Sequence, residues 1–271
     1  MTGCVSPHTP QGVCGGHIEG NAPGAVNTPE EMLRTAENIR DIRGGSILQL
    51  PVGFTAEAEA LGAQAVQGAG CVYTAYSCGS LNQLRNLPRL ETQEPVARVI
   101  DCIRMAAGHV MLAVQSPYSV LAAVTEPPLL LRWLIAEPFE VKSALERITE
   151  GLGEYIKAAV ASGADIVSLA DPYALPEVLG NARYMEFVAA YMTRLLRMLV
   201  NSLERGVVHI CPRSSLVLER LGCLVSRKAV CPPGRYEDQL LRLSRDNSVW
   251  FVGHRCIHLE TSAYIDLLEV L

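Results

Sequence analysis

The chain has 271 residues, 49% of them apolar and 19% charged, with a formal net charge of −5. That length suits one large domain near the size of a (β/α)8 barrel, and the apolar share is enough for a core without disulfide staples. The acid excess, with no long basic run, excludes nucleic acid as a partner, because phosphate binding needs concentrated Lys and Arg.

Residues 1–27 read as an irregular lead-in rich in Gly and Pro, without the basic start and apolar stretch of a signal peptide. Asn27-Thr28-Pro29-Glu30-Glu31 then supplies a cap, a proline in the first turn and acids near the positive helix end. The helix it starts runs to Arg43 and stops at Gly44-Gly45. A short buried strand is predicted over 46–51, and a helix over 55–67 with Gly68 as its stop. Further on, 94–107 reads as a helix and 109–114 as a buried strand ending at Gln115-Ser116-Pro117. A long helix over 138–162 has Gly163 as its stop, and 164–169 is a strand ending in Ala170-Asp171-Pro172. Helix 184–205, strand 207–210, helix 215–221, a helix within 232–245, a last strand over 248–252 and a closing helix over 261–270 complete the chain. The apolar stretch 110–136 is broken by Gln115, Pro117, Glu126, Pro127, Pro128 and Arg132, so a membrane span is excluded and a cytoplasmic protein is expected.

Strands alternating with helices imply a parallel sheet, here a (β/α)8 TIM barrel formed by a single domain, 1–271. Parallel sheets put ligand sites at the C-terminal ends of their strands, where Gln115, Asp171, His209, Cys211 and Cys256 fall. Nine cysteines without a disulfide framework are either small core residues or metal ligands.

His209 and Cys211, two apart at a strand end, point to one side of the sheet. A third soft ligand would complete a three-ligand zinc site with an open fourth position, and Cys256 can reach the same mouth. The plainer reading is a core histidine beside a core cysteine. His254 and His258 flank Cys256 and stand as substitutes for it. Cys4, His8, Cys14 and His17 have spacing that suits a second metal, in a segment whose Gly and Pro content favours disorder or a lid. Cys102 reads as core, while Cys71 with Cys78, and Cys223 with Cys231, are too widely spaced for a compact pair. Asp171 could orient a ligand, hold substrate or relay a proton, or simply cap an Asp-Pro turn. Glu57 and Glu59, two apart on one helix, cannot both face a pocket.

Four segments together resemble the uroporphyrinogen decarboxylase superfamily: 51–62 (PVGFTAEAEALG), 115–118 (QSPY), 163–172 (GADIVSLADP) and 208–211 (VHIC). Over roughly residues 46–271 the chain looks most like the corrinoid-dependent methyltransferase branch. That resemblance implies zinc on His209, Cys211 and Cys256, and a corrinoid (methylcobalamin) carried by a separate partner protein. It implies a small-molecule methyl donor or acceptor, held by Gln115, Tyr118 and Asp171, with Asp171 and Glu57 in catalysis. Zinc would stabilise a substrate thiolate at its open position, or act as a Lewis acid on a methyl donor. Alternatives in the same terms are a component that demethylates an aryl methyl ether or a methylamine, and a non-catalytic barrel that binds the corrinoid protein. Residues 1–45 hold no arginine-rich motif of the decarboxylases, and Gly53 stands where those enzymes place an aspartate. Porphyrinogen decarboxylation is therefore not expected. The short gap from Cys211 to Cys256 suggests a barrel trimmed by one unit, irregular near 222–247.

Overall fold

The structure, a computed structural model, describes residues 28–67, 72–203, 206–246 and 248–271. Cys4, His8, Cys14, His17, Cys71 and the expected helix stop at Gly68 lie outside the described residues.

The first described helix is α1 (Pro29–Arg43), whose amide of Glu31 donates to the Thr28 hydroxyl at 3.2 Å, the cap the sequence implied. β1 (Ile47–Leu50) follows, then α2 (Ala56–Ala60). This second helix is shorter than expected. Gly62, at φ 92°, turns the chain in a conformation that residues with a Cβ resist, and β2 (Gln64–Gln67) then pairs antiparallel with β3 (Val72–Ala75). α3 (Leu81–Arg85) and α4 (Glu94–Met105) lead to β4 (His109–Gln115). α5 (Pro117–Val124) and α6 (Pro127–Ala136), which the sequence reading left unassigned, meet at 119°. Among the described residues no single helix is long and apolar enough to cross a membrane.

α7 (Pro138–Ala161) precedes β5 (Ile166–Ala170). α8 (Pro176–Arg183), a π-helical stretch at Tyr184–Ala189 and α9 (Ala190–Ser202) form the next helical layer. The chain continues through β6 (Gly206–Ile210), α10 (Pro212–Arg220), β7 (Leu224–Gly234), α11 (Tyr236–Leu243), β8 (Val249–Gly253) and β9 (Ser262–Val270).

Among the described residues, seven strands form one sheet in the order β1-β4-β5-β6-β8-β9-β7. The run from β1 to β8 is parallel, whereas β9 pairs antiparallel with both β8 and β7. The expected alternation is thus correct for most of the sheet, but the barrel is not closed. The helix expected over 261–270 is strand β9, because its apolar residues find partners across β7 and β8 that no local pattern reveals.

Alternate residues of the parallel strands enter two packing clusters, as the two-residue strand period requires. Leu48, Leu112, Val167, Val208 and Phe251 pack into the large helix-side core. Ile47, Met111, Ile166, Val207 and Val252 instead meet Tyr236 and Leu240 of α11 and Ile265 and Leu267 of β9. α11 therefore covers the face opposite the large core. Its first turn also reaches the open edge of the sheet: the Ser46 amide donates to Glu237 at 3.2 Å and the Ser46 hydroxyl to Asp238 at 2.5 Å. Side-chain bonds stand there in place of a closing strand pair.

Candidate functional site

The C-terminal ends of the parallel strands carry three buried polar groups. The first is centred on His209, near the end of β6, which is 2% exposed. Its Nε2 lies 2.9 Å from the carbonyl oxygen of Arg255, an atom that can only accept, so Nε2 carries the proton. Its Nδ1, 2.9 Å from the Ser168 hydroxyl, is therefore the acceptor of that bond. Ser168 and His209 are register partners across β5 and β6, which explains the contact. The Tyr236 ring meets the imidazole edge-on, with centroids 6.3 Å apart. Burial pushes His209 down to about 4, partly offset by the Arg255 carbonyl, so the ring is neutral at physiological pH.

Cys211 follows as the N-cap residue of α10, and Cys256 is the next residue after Arg255, in the turn between β8 and β9. The fold thus brings the segments bearing His209, Cys211 and Cys256 into one neighbourhood. Among the described residues, no group of three or more His, Cys, Asp or Glu side chains is drawn together closely enough to hold a metal. His254, at φ 61°, turns away: its amide donates to Ser215 at 2.8 Å, and its Nε2 faces Glu219 at 3.4 Å. His258 is exposed.

The second group surrounds Asp171, just past β5. Its Oδ1 accepts the hydroxyl of Ser116 in a short bond and that of Ser119 at 2.5 Å, while the buried Oδ2 has no partner. Ser116 also caps α5 by accepting the Ser119 amide at 3.2 Å, so Asp171 is anchored to the first turn of that helix. Burial pushes Asp171 up to about 6, against the pull of both hydroxyls and of Arg213. Tyr118 lies in the helix-side core, its phenol pushed up by burial and then by the charge of Asp171.

Glu57 on α2 is the third. It is fully buried whereas Glu59 is not, which answers which of the two faces inward. Neither carboxylate oxygen has a hydrogen-bond partner. Burial pushes the group up to about 7; the backbone amides of Glu57 and Gln115, near but outside hydrogen-bonding geometry, offset part of that and Glu59 adds to it. Gln115 donates from Nε2 to the Phe54 carbonyl at 2.7 Å, tying the end of β4 to the loop after β1 and leaving its Oε1 buried without a partner. Two carboxyls that titrate near neutrality, beside unpartnered acceptors, can take or give a proton during a reaction.

Ser119, Tyr236 and Arg255 were not singled out in the sequence, and Ser116 and Ser168 stood only within quoted segments, without a role of their own. Only the S-P-x-S spacing at 116–119, a helix start next to Gln115, signalled part of this set.

The sequence matches the uroporphyrinogen decarboxylase (URO-D) family over residues 17–226, most of its length, and the chain belongs to that family. Glu57, Gln115, Asp171, His209 and Cys211 fall within the match; Arg255, Cys256 and Asp266 lie beyond it. Among curated relatives, the chain is 22% identical over 206 residues to the methylcobamide:CoM methyltransferase MtaA of Methanosarcina barkeri. It is 23% identical over 207 residues to the protein of that name from Methanosarcina barkeri strain Fusaro. Each alignment covers 72% of this chain and 60% of the relative, so the chain spans about 60% of the length of the curated relatives it matches. A solved methyltransferase from Methanosarcina mazei superposes with a TM-score of 0.59 at 21% identity, covering 72% of this chain and 60% of that one. It is similar in fold.

Proposed function

We propose that the chain is a URO-D-family methyltransferase, moving a methyl group between a corrinoid on a separate protein and a small thiol, pterin or methyl donor. The distant likeness to the methylcobamide:CoM methyltransferases supports the reaction class. The observation that carries the chemistry is the pair of buried carboxyls, Glu57 at about 7 and Asp171 at about 6, within the family match. When a thiol accepts the methyl group, the methyl would exchange its bond to the partner's carrier for the new S–C bond, the old bonding pair staying with the carrier, and the S–H proton would pass to Glu57. In the reverse sense, the protonated carboxyl supplies the proton that the departing heteroatom takes up. Asp171, fixed by two hydroxyls with one oxygen open, suits orientation of the small substrate, with Gln115 and Tyr118 beside it. The partner's corrinoid would supply the methyl-carrying centre.

Zinc enters this proposal through the chemistry of its donors. His209 is neutral, the lone pair of its Nδ1 accepting from the Ser168 hydroxyl, and two thiols lie on the segments that meet it. Its other nitrogen donates to a backbone carbonyl, the arrangement that metal-binding histidines ordinarily show. We assign His209, Cys211 and Cys256 as the residues that would hold zinc, which would supply a Lewis acid for binding a thiol or a methyl donor. Metal analysis on purified protein tests this. About one zinc per chain is expected, and Cys211→Ala should remove most of it. Full retention in that variant would remove His209 and Cys211 from the assignment.

A further inference from the structure

Tyr155, on α7, is fully buried, and its hydroxyl has no hydrogen-bond partner among the described residues. Gly151 stands one turn earlier on the same face of that helix. A Cβ there would meet Glu91 at 2.8 Å and Leu90 at 3.2 Å, so this face lies close against the 3₁₀ turn Leu90–Thr92. That turn packs on α2, the helix that carries Glu57. Burial, and after it the charge of Glu57, pushes the Tyr155 phenol up. From the end of β4 the backbone amide of Gln115 faces the same carboxyl. The unpartnered buried atoms of these three side chains are both oxygens of Glu57, Oε1 of Gln115 and the Tyr155 hydroxyl. Only the phenol always has a proton to donate.

We propose that Tyr155 is a positioning residue for Glu57: its hydroxyl donates to the carboxylate as Glu57 ionises. This rests on the reading of Glu57 as the group that exchanges a proton in methyl transfer. An unpartnered phenol in an apolar core is a cost that phenylalanine would avoid, and a carboxylate there is a far larger one unless a donor meets it. A hydrogen bond to a charged acceptor is about twice as strong as a neutral one, so the two costs offset each other chiefly in the ionised state. The other groups around α2 have partners elsewhere. β2 carries no titratable residue, and Tyr118 of α5 answers to Asp171. On α4, Arg98 pairs with Glu94 and lies towards Glu59, Asp101 pairs with Arg104, and Cys102 answers to Glu30 and Glu37 of α1. Glu91 of the 3₁₀ turn pairs with Arg89, while Glu59 on α2 itself opposes ionisation.

Ionisation of Glu57 can be followed without a metal and without methyl transfer. In protein labelled with 13C at the glutamate side-chain carboxyls, its signal is assigned by its loss in Glu57→Gln. Tyr155→Phe removes one unpartnered oxygen and keeps the ring, and circular dichroism checks that the fold is retained. The Glu57 midpoint in that variant should rise by about one unit or more, the size of a lost hydrogen bond to a charged acceptor. An unchanged or lowered midpoint would overturn the proposal. Urea unfolding gives a second reading. At pH 5, where Glu57 is neutral in the fold, Tyr155→Phe should be at least as stable as the unaltered protein. At pH 9, where the fold holds the carboxylate, it should be the less stable of the two. With Gln at position 57 this dependence on pH should vanish. The same loss at both pH values and in both backgrounds would make Tyr155 merely structural and contradict the proposal.

Methyl transfer to a thiol separates this role from the reading it rests on. The rate should rise with pH as Glu57 ionises, and Tyr155→Phe should displace that rise upward by as much as it moves the carboxyl midpoint. A displaced midpoint with an unmoved rate profile would remove Glu57 from the proton transfer and leave its positioning by Tyr155 standing.

Discussion

Glu57 illustrates how one buried side chain couples stability to chemistry. Its carboxyl is shifted from the ordinary 4.5 to about 7, so the folded protein holds a proton that the unfolded chain releases between those values. Stability contributed by the neutral group is fully present below pH 4.5 and is lost as pH rises through 7. The full shift is worth about 3 kcal/mol. Glu57→Gln should therefore match the unaltered protein near pH 4.5 and exceed its stability by up to that amount above pH 7.5. Urea unfolding at the two pH values measures the difference; a pH-independent gap would mean that Glu57 is ionised in the fold. The same variant should lower methyl transfer by about 10²-fold or more, the usual scale of a lost proton-transfer group. Residue identity made part of this visible in advance. Cys211 and His209 were readable as neighbours from their spacing, and Glu57 as one of an inward–outward pair. The role of Ser168 was not, because its partner comes from the next strand in the sheet, 41 residues further along the chain.

At the scale of elements, legibility followed locality. α1, α4 and α7 begin with proline in their first turn, and their expected spans stand close to the observed ones. β4, β5 and β6 are apolar runs closed by turn residues, and they too were read correctly. β7 and β9 were missed because their stability lies in pairing with each other, which a pattern along one segment cannot express. The same unit imposes a tight junction at Gly253, where β8 ends. A Cβ there would meet Leu268 of β9 and Ser215 of α10, each at 2.7 Å. Gly253→Ala should cost about 1–3 kcal/mol through overpacking. Because the adjacent His254 amide is bonded to Ser215, the change should also disturb the turn carrying Arg255 and Cys256. Denaturant melts together with zinc affinity would follow both effects; unchanged stability would mean that α10 can recede freely from the sheet.

For the whole molecule, the alternation of strands and helices correctly indicated a mostly parallel sheet with its polar groups at the strand C-terminal ends. Closure into a full barrel did not follow, since among the described residues the edge of β1 meets side chains of α11 through Ser46 and not another strand. Membership of the URO-D family does not carry the decarboxylase reaction with it. Gly53 stands where the resemblance places the decarboxylase aspartate, and a Cβ at that position would find nothing within 4 Å. Uroporphyrinogen incubated with the protein should remain unchanged by chromatography, and substantial coproporphyrinogen would reverse the assignment of branch. Methyl transfer itself is tested most directly by mixing the purified protein with methylcobalamin and a panel of thiols and pterins, and following the cobalamin spectrum. One acceptor should drive loss of the methylcobalamin absorption with growth of the cobalt(I) band, at a rate proportional to protein and lowered about 10²-fold in Glu57→Gln. A spectrum that changes no faster than the protein-free control, or equally fast with Glu57→Gln, would contradict the proposed chemistry.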